Sequence, residues 1–387
     1  MKTNITPAQR VDSLAVYYLQ KKLDEVAALR AQGHDVVSLG IGGPDGSAPA
    51  EAIEATVESI RRSDTHSYQQ GTGILELRRA FADWYKKTYN VDLDPETMIL
   101  PLIGSKEGIL HISLAFLNPG DKVLVPDPGY PTYTSVTRIV GAEAVPYDLK
   151  AENGWYPDFD ALDRMDLTGV KMMWINYPHM PTGAPASTEL FSRIVDFGRR
   201  HNILIAHDNP YSFILNREPL SLLSIPGAFD IAIEMNSLSK SHNMAGWRMG
   251  IVAGNPQFIS WIRRIKSNID SGQFRPVMEG AVCALAQGAE WYDALYDMYA
   301  ERRTAAEQVM TALGCTFDPA QRGMFLWGRV PDSIDSVEKF CDDLLRHKHI
   351  FITPGFIFGH NGSRYIRISL CSTVDRLNEA KQRIKTI

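Results

Sequence analysis

The 387 residues carry 40 lysines and arginines against 45 aspartates and glutamates, a formal net charge of −5 with a pI near 6.1. That balance excludes the basic footprint of a nucleic-acid or anionic-membrane binder. With 44% hydrophobic and 22% charged residues and a mean hydropathy of −0.17, the chain reads as globular and long enough for two domains, each with its own core.

At the N-terminus, Met1 to Pro7 lack the apolar run of a signal peptide, and no stretch of about 18 apolar residues predicts a membrane span. A helix is predicted over 14–31 and a strand over 36–39. Gly40-Ile41-Gly42-Gly43 follows that strand, but Pro44 intervenes and Asp45 stands where the third glycine of a dinucleotide-binding turn belongs. Further on, apolar strands over 123–125, 144–147, 170–175, 203–206, 231–235 and 249–252 alternate with helical stretches such as 187–200. Strands apolar on both faces, joined by helices, argue for a mainly parallel sheet covered on both sides. The last quarter differs: a helix over 291–313, a strand over 325–327, a helix over 337–347, strands over 350–353 and 365–369, and a final helix after Thr373. The expected division is an N-terminal arm (1–47) packed with a small α+β domain (289–387), and a large α/β domain (48–288) between them. The cysteines Cys283, Cys315, Cys341 and Cys371 form no CxxC pair and have no histidine at ligand spacing. A metal site or disulfide framework is therefore not expected, and a reducing cytoplasmic setting is.

Three segments carry chemistry. In Ser237-Leu238-Ser239-Lys240, two hydroxyls precede a lysine, and Arg248 follows eight residues later, all in a loop between two buried strands. Such a loop suits an anion beside an amine whose pKa is lowered by burial and a neighbouring cation. The plainer reading is a solvated turn. The strand over 203–206 leads through His207 into Asp208, with Tyr211 three residues on. An acid at a strand's carboxyl end faces the ligand crevice of an α/β sheet, although it also serves as a helix cap or turn former. Gly104-Ser105-Lys106 opens an apolar helix whose free N–H groups form an anion site; equally, Ser105 is the helix N-cap.

Together these segments resemble the class I/II aminotransferases of the aspartate aminotransferase fold, from about residue 13 to the C-terminus. The resemblance implies a seven-stranded, mainly parallel sheet between helices, and pyridoxal 5′-phosphate as cofactor. It implies that Lys240 holds the cofactor as a Schiff base and shuttles a proton between Cα and C4′. Asp208 would pair with the ring nitrogen and Tyr211 with the ring hydroxyl, while Tyr130 stacks on the ring. Gly104, Ser105, Lys106, Ser237, Ser239 and Arg248 match the phosphate cup. Tyr68 matches a tyrosine that reaches the neighbouring subunit's phosphate, implying a homodimer. Arg367 matches the clamp on the substrate α-carboxylate, helped by the backbone of Gly42. The side-chain pocket would draw on Tyr17, Tyr18, the region of His242 and a partner loop over 268–275.

Where the family usually shows Asn-Pro-Thr-Gly, this chain reads Met180-Pro181-Thr182-Gly183, and methionine cannot donate to the ring hydroxyl. Either Tyr211 holds that oxygen alone, or His179 or Asn176 compensates. The segments 101–108 and 125–131 look most like bacterial LL-diaminopimelate-type enzymes, although Gln69-Gln70 stands where those tend to carry a glutamate. The expected activity moves an amino group between an L-amino acid and a 2-oxo acid, with 2-oxoglutarate the expected acceptor. β-Elimination on the same cofactor is the main alternative, since the same carbanion can expel a β-substituent. A non-catalytic regulator is the third reading.

Overall fold

The computed structural model describes residues 5–12 and 18–385. A two-residue strand β1 (Val37–Ser38) precedes the segments that build the main sheet: β2 (Ile99–Ile103), β3 (Lys122–Asp127), β4 (Glu143–Asp148), β5 (Val170–Ile175), β6 (Leu204–Asp208), β7 (Ala232–Ser237) and β8 (Met249–Gly254). Their spatial order is β2-β8-β7-β6-β5-β3-β4, parallel except that β8 runs antiparallel to both neighbours. β2 was not foreseen as a strand. Its sequence holds Pro101, which cannot donate to a ladder and is tolerated on an edge, where β2 lies with β8 as its single partner.

Side-chain alternation explains why the inner strands are apolar throughout. Met172 and Trp174 of β5, with Leu204 and Ala206 of β6, enter a core on one face. Met173, Ile175 and Ile205 enter a second core on the other. Helices cover both faces. Thr188–His201 is representative: Ser187 Oγ accepts from Leu190 N at 3.1 Å to start it, and Asn202 in the left-handed region ends it.

A third core gathers the C-terminal part. It joins the helix Ala289–Ala312 to a three-stranded antiparallel sheet of β9 (Phe325–Arg329), β11 (Thr353–Pro354) and β12 (Tyr365–Ser369), in the order β11-β12-β9. The single strand expected over 350–353 is two pieces: β10 (Ile350–Phe351) pairs parallel with β1, while β11 turns to pair with β12. The N-terminal helix Tyr18–Ala31 packs Val26 against Leu345 and Phe351, and Lys22 bridges to Asp342 at 2.6 Å.

Candidate active site

At the carboxyl edge of β6 and β7 lies a cavity of about 300 Å³ that collects most of the residues singled out in the sequence. Asp208 ends β6 and is 5% exposed. Tyr133 Oη donates to its Oδ2 at 2.9 Å, and its Oδ1 has no partner among the described residues. Burial raises this carboxyl to about 6, opposed by the Tyr133 hydroxyl and by nearby His207 and Lys240.

Lys240 sits on the short helix Leu238–Ser241 directly after β7, and its Nζ donates to Gly42 O at 2.7 Å. Burial holds its pKa below the usual lysine range, and the guanidinium groups of Arg248 and Arg367 add to that lowering. A lysine so placed reaches its neutral, nucleophilic form more readily than a solvated one.

One end of the cavity is an anion cradle. Gly104 has φ 76°, a left-handed conformation that favours glycine, and the Arg248 guanidinium lies against it, its Nη2 2.1 Å from where a Cβ would stand. Ser105 is the first residue of the helix Ser105–Phe116, not its N-cap; Gly104 holds that position without a side-chain cap. The positive end of the helix dipole is thus delivered to the cavity with Ser105 and Lys106. Ser237 Oγ donates to Ser239 Oγ at 2.9 Å across the same end.

At the opposite end stands Arg367, from β12, 5% exposed. Its Nη2 donates to Gly40 O at 2.8 Å and its Nη1 faces Met180 Sδ at 3.3 Å. Phe325 and Phe358 lie against the guanidinium, 3.9 and 4.7 Å from ring centroid to Cζ. Gly42 lies tight against the same aromatic group, since a Cβ there would lie 2.3 Å from Phe325 Cζ. Tyr130 and Tyr211 also line the cavity, Tyr211 edge-on to Phe325 at 5.9 Å.

Other expected residues fall elsewhere. Tyr68 is 92% exposed and lies with Ser271 and Phe274 in a separate surface hollow, outside this chain's own cavity. Tyr17 lies outside the described residues. His242 does not line the cavity: it is fully buried, stacks on Trp291 and meets Tyr292 Oη at 3.2 Å, and burial lowers it to about 3. Asn176 lines the cavity, with its amide bridging Asp208 O at 2.6 Å and Met180 N at 2.7 Å. His179 is outside the lining, buried and lowered to about 3 by desolvation, its Nδ1 on Thr182 Oγ1 at 2.8 Å. Sequence reasoning missed Tyr133, Phe325 and Phe358. Of these only Tyr133 left a trace, lying three residues after Tyr130 and so one helical turn away.

Fold and site together define an α/β enzyme whose cavity holds a buried lysine and acid, with Arg248 toward one end and Arg367 toward the other. The family model for aminotransferase class I and II matches residues 34–384, and the chain belongs to that family. It is 41% identical over 358 residues to an LL-diaminopimelate aminotransferase of Aquifex aeolicus, covering 92% of each chain. It is 39% identical over 389 residues to one of Oleidesulfovibrio alaskensis, covering 100% of each. Among solved structures, substrate-bound BacF from Bacillus subtilis superposes with a TM-score of 0.94 at 33% identity, over 99% of this chain and 97% of that one. A probable N-succinyldiaminopimelate aminotransferase from Thermus thermophilus gives 0.89 at 31%, over 95% and 99%. The protein is an aminotransferase that acts on amino-acid and 2-oxo-acid substrates, as the sequence implied. No helix among the described residues is long and apolar enough to cross a membrane.

Proposed function

We propose that the cavity binds pyridoxal 5′-phosphate through Lys240 and uses it to move an amino group from an L-α-amino acid to a 2-oxo acid, with 2-oxoglutarate as acceptor. The single observation that carries this reading is the open Oδ1 of buried Asp208, in one cavity with Lys240 and the Gly104–Arg248 cradle. A buried carboxylate oxygen without a donor is unstable unless a cation or donor meets it, and a pyridinium N–H is such a group. The cradle suits a phosphate by its donors: the Arg248 guanidinium, Lys106, the hydroxyls of Ser105, Ser237 and Ser239 and the start of the helix Ser105–Phe116 share that end of the cavity.

When bound, the cofactor supplies an electron sink that acidifies the substrate's Cα–H bond. The chain's own groups do the rest. Asp208 would keep the ring nitrogen protonated, Tyr211 would donate to the ring hydroxyl oxygen and Tyr130 would cover the ring. Ser105, Lys106, Ser237, Ser239 and Arg248 would hold the phosphate. Arg367 would exchange its soft contact with Met180 for the substrate carboxylate, a far stronger acceptor, with Gly42 lining the same cavity. The Lys240 amine, its pKa lowered by burial, would carry the proton between the substrate's Cα and the cofactor. Tyr68, exposed here, completes the phosphate site of a second copy in a homodimer. The names of the relatives support LL-diaminopimelate as a donor, with aspartate as the other candidate.

Borohydride treatment of the protein loaded with pyridoxal phosphate tests the reading. Reduction should bleach the visible band and fix the cofactor on Lys240, as read by peptide mass. Lys240→Ala should bind cofactor without that mass shift and should not transaminate. Sustained turnover by this variant would reject the assignment.

A further inference from the structure

Behind the anion cradle lies a charge cluster that the reaction does not use: Glu107, His111, Lys266 and Asp270. Lys266, the last residue of the helix Pro256–Lys266, is 1% exposed, and His111 is fully buried. Lys266 Nζ is 2.5 Å from Asp270 Oδ2 and 3.5 Å from Glu107 Oε1. Glu107, His111 and Asp270 bring ligand atoms within 4.8 Å of one another, and the ammonium supplies the positive charge among them. Burial opposes ionisation of Glu107, yet His111, Lys266 and the backbone of Ile103 together hold its carboxyl below the usual range.

Each of the two carboxylates is also folded onto a backbone bend. Glu107 Oε2 accepts from Ile103 N at 2.5 Å, bracing the turn that sets Gly104 at φ 76°. Asp270 Oδ1 accepts from Gly272 N at 2.9 Å. The next residue, Gln273, donates from Nε2 to Arg248 O at 2.9 Å, bracing Arg248 in its left-handed conformation at φ 56°. Gly104 and Arg248 are the two walls of the cradle.

We propose that Lys266 is a positioning residue for the phosphate end of the site, tying the Gly104 wall to the Arg248 wall through Glu107 on one side and Asp270–Gln273 on the other. This rests on the cofactor reading above. Without the ammonium, two half-buried carboxylates lie close together with no cation between them and repel, so one bend or both must relax and the walls lose their spacing. The ring and aldehyde ends, held by Asp208 and Lys240, are untouched.

The test compares pyridoxal phosphate with pyridoxal, which differs only in the phosphate, by equilibrium binding to the full chain. In Lys266→Met the preference for the phosphorylated form should fall by about 10-fold or more, as when an outer contact orienting a ligand group is removed. Pyridoxal affinity should stay within about 3-fold, and Lys266→Arg should restore the preference. Asp270→Asn, a milder change at a less buried position, should shift the ratio the same way and carries the test where Lys266→Met does not fold. An unchanged ratio in a folded variant overturns the proposal, as does an equal loss for both ligands, which marks general loosening. A parent protein that does not favour the phosphorylated form rejects the cofactor reading itself, a separate outcome.

Discussion

Two carboxylates lie buried on neighbouring strands, and their surroundings differ sharply. Glu234 of β7 is fully buried and accepts four hydrogen bonds, from Tyr85 Oη at 2.9 Å and from Ser221 Oγ, Leu222 N and His207 Nδ1 at 2.8 Å each. Asp208, beside it at the end of β6, lines the cavity, and among the described residues its carboxylate accepts from Tyr133 alone and leaves Oδ1 without a partner. His207 and Asp208 are consecutive, so strand alternation sends the first into the Glu234 network and the second into the site. A buried acid with every lone pair engaged contributes to stability. One left half-engaged weakens the folded chain and is available to a ligand.

Substitutions at the two positions should separate these roles. The largest effect is expected at Asp208: Asp208→Asn should lower kcat/KM by about 10³-fold, or roughly 4 kcal/mol, as for truncating one member of a buried charge pair. Thermal stability of the cofactor-free chain should not fall with it. Glu234→Gln should do the reverse, costing about 3 kcal/mol in urea unfolding because an amide cannot accept from all four donors, while the pyridoxal phosphate absorption spectrum is preserved. Equal losses of stability in both variants would erase the distinction.

The pH dependence sharpens it further. Asp208's carboxyl is raised from 3.8 to about 6 in the folded chain, so between those values the folded state binds more protons than the unfolded one. Stability attributable to this group therefore falls as pH rises from about 4 to 6, by roughly 2–3 kcal/mol. Parent and Asp208→Asn cofactor-free chains, unfolded in urea across that range, should differ by this slope, and parallel curves would contradict the assignment. The smallest effect is at Tyr133. Tyr133→Phe removes the one donor to Asp208, raises its pKa further and should lower kcat/KM by about 1.5 kcal/mol, read most clearly as an upward shift in the acid limb of the pH–rate profile.

Much of this protein was decided locally, in the order of its residues. Buried strands announce themselves as short apolar runs because both faces of an inner strand must leave water. Ser-x-Ser-Lys with Arg248 eight residues on, Asp208 at a strand end and Gly104 before a helix each put a chemical group at a chain position where a sheet edge presents it. The helical stretch over 187–200 was legible in the same way, although Ser187 proves to be its cap and Thr188 its first residue. What the order of residues left open depends on contacts between distant segments. Nothing near Asp208 indicates that a tyrosine 75 positions earlier would occupy one oxygen and leave the other free. Likewise Met180 beside Arg367, the two phenylalanine rings against that arginine, and the Lys266 bridge between Glu107 and Asp270 arise only when separate elements pack. The region of His242 was expected to contribute to the side-chain pocket, yet His242 itself ends the short helix and is fully buried in the core. Local sequence sets which groups a strand or turn can offer. Which of them are satisfied, and which stay open to a ligand, follows from the long-range packing that delivers or withholds the second partner.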